Sequence, residues 1–163
     1  MIAVLDYGIG NLRSAQKALE RFDSDVRLVT SPAALGDESP AGIVLPGVGA
    51  FGRCMTALRR SGLDQLAIDA IAAGVPFLGV CVGMQMLYDG SEEEPDVVGL
   101  GVLTGTVRRL PDGVKRPQMQ WNRLVVRRPT PLLAGIDDEA WVYFVHSYAP
   151  EDSPEVVATC EYG

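Results

Sequence analysis

Positive charge is scarce in this 163-residue sequence: 14 Lys and Arg stand against 21 Asp and Glu, for a formal net charge of −7. Such a balance offers no basic footprint to a phosphate backbone or an anionic membrane surface, so neither nucleic acid nor membrane is expected as a partner. Cysteine and histidine are scarce too. Cys54, Cys81 and Cys160 are odd in number and widely spaced, without a CxxC pair, and His146 is the one histidine. That argues against a disulfide framework and a zinc site, and for a reducing compartment, with the cytoplasm as the expected location. No metal and no cofactor is expected. Met1 to Tyr7 has no basic segment before its apolar run, which carries Asp6, so a secretory signal is not expected. Residues 70–88 lack charge over the length of a membrane span, but Gly74, Pro76, Gly79, Gly83 and Gln85 break the run. A helix end, a turn, a short buried strand and a new helix start account for those breaks.

What the sequence does have is 47% hydrophobic residues, enough for one packed domain over 1–163. Strand and helix patterns alternate in its first half at the spacing of βαβ units, which predicts a parallel sheet covered on both faces. Ile2 to Leu5, Val26 to Val29, Gly42 to Leu45 and Phe77 to Val80 read as strands. Leu12, Ala15, Ala18, Leu19 and Phe22 mark the apolar face of a first helix with Asn11 as its N-cap, and Leu63 to Ile71 reads as a second helix. After about residue 100 the segments Gly105 to Leu110, Gln120 to Val126, Trp141 to Tyr148 and Val156 to Cys160 predict strands added antiparallel to that sheet. The acidic run in Ser91 to Asp96 reads as a solvated loop.

Three motifs carry possible chemistry. Gly79-Val80-Cys81-Val82-Gly83 lies between an apolar strand and a helix-compatible segment, the setting of a nucleophile elbow with cysteine in place of serine. Small residues two before and two after Cys81 permit a sharp turn that presents its side chain. The N-terminus of the next helix favours the thiolate, and the Val82 N–H faces a developing oxyanion. The alternative is a buried structural cysteine. Gly47-Val48-Gly49-Ala50-Phe51-Gly52 matches GxGxxG formally, but a dinucleotide fingerprint belongs on the first βα turn, with an acidic residue ending the next strand. That strand runs into Cys81, so Pro46 to Gly49 reads instead as a rigid loop facing the same pocket. His146, in Phe144-Val145-His146-Ser147-Tyr148, fits a general base for Cys81 or a hydrogen-bonded pocket histidine equally well.

With these motifs placed, the whole sequence resembles the glutaminase subunits of imidazole glycerol phosphate synthase, a family of class I glutamine amidotransferases. Asp6 to Leu12 is similar to that family's opening, Pro46 to Phe51 to its oxyanion segment, Gly79 to Leu87 to its nucleophile segment and Tyr143 to Tyr148 to its YFVHSY strand. The resemblance implies an α/β three-layer sandwich of flavodoxin-like, class I amidotransferase type, with a mostly parallel central sheet and added antiparallel strands. It also implies hydrolysis of L-glutamine through a Cys81 thioester. Backbone amides near Val48 and Val82 then hold the oxyanion, and Gly49, Gln85, Ser147 and Tyr148, with His146 beside them, match glutamine-contact positions. Ammonia passes to a TIM-barrel cyclase subunit in a heterodimer, with Asn11, Trp121 and Tyr143 at positions facing that partner.

The sequence also departs from the family. The family's triad His and Glu belong to a later His-Pro-Glu segment, which is not found within residues 1–163, and the histidine of its YFVHSY strand is not the base. Gln118 and Gln120 stand where the family commonly has His and Gly, in a segment expected to be a partner-facing loop. Two other functions compete: a non-catalytic relative that binds and modulates the cyclase, and another cysteine-dependent amidotransferase or hydrolase.

Overall fold

The computed structural model describes residues 1–162 apart from 23, 24, 37 and 138. The chain divides into two compact units, Met1–Val107 and Arg108–Gly163. In the first, β1 (Ile2–Leu5), β2 (Val26–Val29), β3 (Gly42–Gly47) and β4 (Phe77–Cys81) form a parallel sheet in the order β2-β1-β3-β4. Helices carry the chain back over the sheet between β1 and β2 and between β3 and β4, so those strands run parallel, while only the short 3-10 turn Pro32–Leu35 separates β2 from β3. The first helix, α1 (Leu12–Leu19), lays Leu12, Ala15 and Leu19 against Val4, Val26 and Val44 on one sheet face.

The predicted apolar face of α1 is wider than the observed one. Ala18 is exposed, since at 100° per residue it lies about 100° from the centre of the Leu12–Ala15–Leu19 stripe. Phe22 follows the helix and is 91% exposed. Asn11 occupies the N-cap position, but its side chain makes no capping bond. Only its backbone carbonyl serves the helix, accepting from the Ala15 N–H at 3.1 Å.

The opposite sheet face is covered by α2 (Phe51–Ser61) and α3 (Leu63–Ala72). Helix α2 was not expected from the sequence, yet Phe51, Cys54, Met55 and Leu58 follow helical spacing and are all fully buried. Burying each large apolar side chain of this kind contributes about 1.5–3 kcal/mol. Gly62 separates the helices, with φ at 73° and its N–H returned to the Arg59 carbonyl. That left-handed cap ends α2 at low steric cost. Helices on both faces of the sheet give the three expected layers, but the cover expected over the whole sheet is incomplete within this unit: Leu78 and Val80 of β4 are exposed.

After β4 come a one-turn helix, α4 (Val82–Gln85), and the strands β5 (Tyr88–Ser91) and β6 (Leu103–Arg109). β5 and β6 pair in parallel, in a sheet separate from β1 to β4. In the second unit, β7 (Gln118–Arg123) and β9 (Trp141–His146) form an antiparallel ladder, while β8 (Val125–Val126) pairs antiparallel with β11 (Ala158–Thr159). The strand β10 (Tyr148–Pro150) lies between β9 and β11 in the chain. Antiparallel strands are thus present as predicted, but their ladders form sheets of their own rather than extending the central one. Among the described residues no helix is long and apolar enough to cross a membrane.

Candidate active site

β3 and β4 run side by side with Pro46 opposite Val80 and Gly47 opposite Cys81. Cys81 ends β4 at φ 56° and ψ −119°, the one non-glycine residue of positive φ among those described. A side chain held in such a region costs about 1–3 kcal/mol and persists only where its surroundings impose it. Here the imposition is backbone contact. A Cβ on Gly83 would stand 1.8 Å from the Leu45 carbonyl oxygen, one on Gly79 2.6 Å from the Met84 Cα, and one on Gly47 2.5 Å from the Gly83 nitrogen. The strand-to-helix turn therefore packs main chain on main chain, and three positions must lack a side chain.

The Cys81 side chain is exposed at the turn, whereas Val82 and Gln85 behind it are buried. Helix α4 is a single turn, shorter than the sequence implies. It brings the free N–H groups of a first helical turn to Cys81, but little macrodipole beyond them.

The segment from Pro46, near the end of β3, through the following loop to Ala50 is held at several points. The buried Tyr7 hydroxyl donates to the Pro46 carbonyl at 2.7 Å, and the buried Cys54 thiol donates to the Val48 carbonyl at 3.3 Å. Burial pushes the Tyr7 phenol well above its ordinary range, and the neighbouring Cys54 and Cys81 thiols add to this. Burial also pushes the Cys54 thiol up, with the adjoining Tyr7 hydroxyl partly opposing it. At the start of α2, the Phe51 N–H donates to the Glu93 carboxylate at 2.8 Å and the Gly52 N–H to the Glu94 carboxylate at 3.3 Å. The acidic run is thus only partly a solvated loop: two of its carboxylates cap a helix, where they meet orphan donors and the positive end of the dipole. Val48 and Gly49 are exposed, and Gly49 has φ 88°.

Tyr7, Cys54, Glu93 and Glu94 were not singled out from the sequence. Their roles depend on contacts 6 to 42 residues apart, which no local pattern announces. Asn11 is exposed at the start of α1.

The remaining candidates lie in the second unit. Trp121 and Tyr143 are cross-strand partners in the β7–β9 ladder, their rings edge to face at 5.6 Å. They are 61% and 47% exposed, so within this unit Trp121 is not core, and Met119 and Val145 continue the exposed face. The segment around Gln118 is strand rather than loop. Gln118 is 1% exposed and donates to the Asn122 side-chain oxygen at 2.9 Å, and exposed Gln120 donates to the same oxygen at 2.7 Å. His146 ends β9 half-buried, its Nδ1 3.0 Å from the Tyr148 carbonyl. Ser147 lends its carbonyl to the Leu110 N–H at 2.9 Å. An open concavity of about 770 Å³, lined by Arg123, Arg127, Arg128 and Trp141 among others, includes none of the residues singled out from the sequence.

Cys81 is thus a strained, exposed cysteine at the end of a parallel strand whose Leu78 and Val80 are themselves exposed, with a glycine-rich segment in register beside it. The class I glutamine amidotransferase sequence profile matches residues 3–162. The chain belongs to the class I glutamine amidotransferase family. It is 47% identical over 165 residues to the imidazole glycerol phosphate synthase subunit HisH of Desulfitobacterium hafniense, covering 100% of this chain and 77% of that one. To the HisH subunit of Deinococcus radiodurans it is 49% identical over 166 residues, covering 99% and 76%. Solved structures give the same fold: a glutamine amidotransferase superposes with a TM-score of 0.71 at 23% identity, over 96% of this chain and 78% of the other. PurLQS from Thermotoga maritima gives 0.70 at 22%, over 98% and 73%.

Proposed function

We propose that this chain is the glutamine-hydrolysing subunit of an imidazole glycerol phosphate synthase, acting in the cytoplasm in histidine biosynthesis and delivering ammonia to a TIM-barrel cyclase subunit. The observation that carries the catalytic half is Cys81: exposed, at φ 56°, opposite Gly47 across the β3–β4 register. The similarity to HisH subunits supports the pathway and the partner.

Cys81 thiolate attacks the side-chain amide carbon of glutamine, and the carbonyl oxygen takes the negative charge. N–H groups of Val48 and Val82 stabilise that charge; removing one such donor typically costs about 10²–10³ in turnover. The tetrahedral intermediate collapses by breaking its C–N bond. The departing nitrogen takes up a proton and leaves as ammonia, and the glutamyl group stays on sulfur. Water then attacks the thioester, releasing glutamate and the Cys81 sulfur. By the family resemblance, Gly49 and Gln85 contact the glutamine, and Ser147 and Tyr148, next to His146 in the chain, match further glutamine-contact positions. In the family this sequence resembles, the histidine at the position of His146, whose Nδ1 here lies 3.0 Å from the Tyr148 carbonyl, is not the base. The family resemblance gives that task to the histidine of a His-Pro-Glu segment.

Asn11, Trp121 and Tyr143 face the cyclase. Exposed aromatic side chains paired across a ladder suit such a role, since rigid aromatics commonly anchor interfaces.

The test is a paired synthase assay of the natural full-length protein with its cyclase. Cys81→Ala abolishes product formation from glutamine and leaves formation from added ammonium salt intact. Retained glutamine-dependent turnover would reject Cys81 as the nucleophile, and loss of both activities would reject the division of labour.

A further inference from the structure

Two buried side chains that the proposed chemistry does not use converge on the loop beside Cys81. Tyr7 comes from the turn after β1 and Cys54 from the first turn of α2, and each donates its one proton to a loop carbonyl, Pro46 at 2.7 Å and Val48 at 3.3 Å. Cys54 is fully buried and Tyr7 nearly so, and the two side chains adjoin one another. Burial raises the proton affinity of both, so near neutral pH both remain donors.

A peptide group is a rigid plane, so holding its carbonyl also aims its N–H. The Tyr7 bond fixes the Pro46–Gly47 plane and the Cys54 bond fixes the Val48–Gly49 plane. One peptide lies between them, Gly47–Val48, and its N–H belongs to Val48. Gly47 is the residue registered against Cys81. Phenylalanine would fill nearly the same space at position 7 without donating, so packing alone does not call for a hydroxyl there.

We infer that Tyr7 and Cys54 are positioning residues for glutamine hydrolysis, a two-point anchor that holds the peptide planes on either side of Gly47–Val48 and so keeps the Val48 N–H within reach of the oxyanion. The inference rests on the glutaminase reading above. The anchor acts on the transition state rather than on glutamine binding, because the charge it serves develops only once Cys81 attacks.

The experiment uses the natural full-length protein with its cyclase and compares Tyr7→Phe, Cys54→Ala and Cys54→Ser, with Cys81→Ala as control. Misaiming a catalytic group by about 1 Å can cost on the order of 10²-fold, so partial loss of aim in Tyr7→Phe and Cys54→Ala is expected to lower kcat about 10-fold. KM for glutamine stays within about 2-fold, the pattern of an interaction made only in the transition state. Cys54→Ser keeps a donor and recovers most of the rate. Alkylation of Cys81 by iodoacetamide, which needs no oxyanion donor, proceeds at the parental rate in all three. Unchanged kcat in folded Tyr7→Phe and Cys54→Ala overturns the anchor, as does Cys54→Ser being no faster than Cys54→Ala. Where Tyr7→Phe does not fold, the Cys54 pair decides. A Cys81→Ala protein that still hydrolyses glutamine overturns the glutaminase reading itself, whereas failure of the anchor alone leaves that control inactive.

Discussion

The backbone at Cys81 gives a measurable separation between stability and activity. Cysteine and alanine both carry a Cβ into φ 56°, ψ −119°, whereas glycine does not. Replacing Cys81 by Ala and by Gly removes the thiol equally, so the difference between the two variants isolates the strain. A side chain in this region costs about 1–3 kcal/mol. Glycine gives back about 0.5–1 kcal/mol through the greater freedom of its unfolded chain. The expected balance is that Cys81→Gly is more stable than Cys81→Ala by roughly 0.5–2 kcal/mol. With a urea m-value of about 1–3 kcal/mol/M, the midpoints should differ by several tenths of a molar. Both variants are inactive with glutamine. Equal midpoints, or a less stable glycine variant, would refute the claim that neighbouring backbone forces this conformation on Cys81.

Four further outcomes follow from the same geometry. Gly83→Ala drives a Cβ to 1.8 Å from the Leu45 carbonyl oxygen, with backbone on both sides, so it should destabilise by about 1–3 kcal/mol or more and lose glutamine turnover; a parental urea midpoint would contradict the close approach. Glu93→Ala leaves the Phe51 N–H uncapped and should cost about 0.5–2 kcal/mol, read as a lower urea midpoint. Because burial raises the Cys54 thiol above the value of a free thiol, the folded state keeps a proton that the unfolded chain gives up above about pH 8.5. The stability this provides is complete below that pH and falls as pH rises toward the folded value, by at most about 1.4 kcal/mol per unit. Urea midpoints at pH 7.5 and 9.5 should therefore converge in Cys54→Ala, and an unchanged pH slope would refute the burial effect. Trp121→Ala should weaken cyclase binding about 10-fold or more in a titration while sparing ammonia-dependent turnover; unaltered binding would move the interface elsewhere.

The parallel strands were legible because buried strands read as short apolar runs, although β4, expected to be buried on that pattern, leaves Leu78 and Val80 exposed; the turn at Cys81 was legible because glycines bracket it two residues on either side. Helix α2 was not, although Phe51, Cys54, Met55 and Leu58 carry its spacing, because glycines at 47, 49 and 52 compete for the same stretch as a loop signal. Ala18 and Phe22 were read as buried because spacing reports a face but not its width or where the helix ends. The strands after residue 100 were found, but their pairing was not, since alternation gives no partner. Contacts that fix the loop beside Cys81 were invisible for the same reason. Tyr7 reaches Pro46 across 39 positions and Glu93 reaches Phe51 across 42.

The GxGxxG run shows why a spacing pattern has to be converted into contacts before it implies a ligand. In a dinucleotide fold the three glycines admit a pyrophosphate to the N-terminus of the following helix. Here each glycine answers to something else. Gly47 lacks a side chain because the Gly83 nitrogen would lie 2.5 Å from its Cβ, and Gly49 turns the loop at φ 88°. At Gly52 a Cβ would stand 2.1 Å from the Glu94 carboxylate, the movable end of a side chain that here accepts the Gly52 N–H. That carboxylate and its neighbour Glu93 already take the N–H groups of Phe51 and Gly52. An anion arriving at this helix end would meet two negative charges where a phosphate site offers free donors, so its positive end is spent within the protein. The loop is left to face Cys81, and a pattern that spells nucleotide binding elsewhere serves here to hold backbone amides beside a thiol.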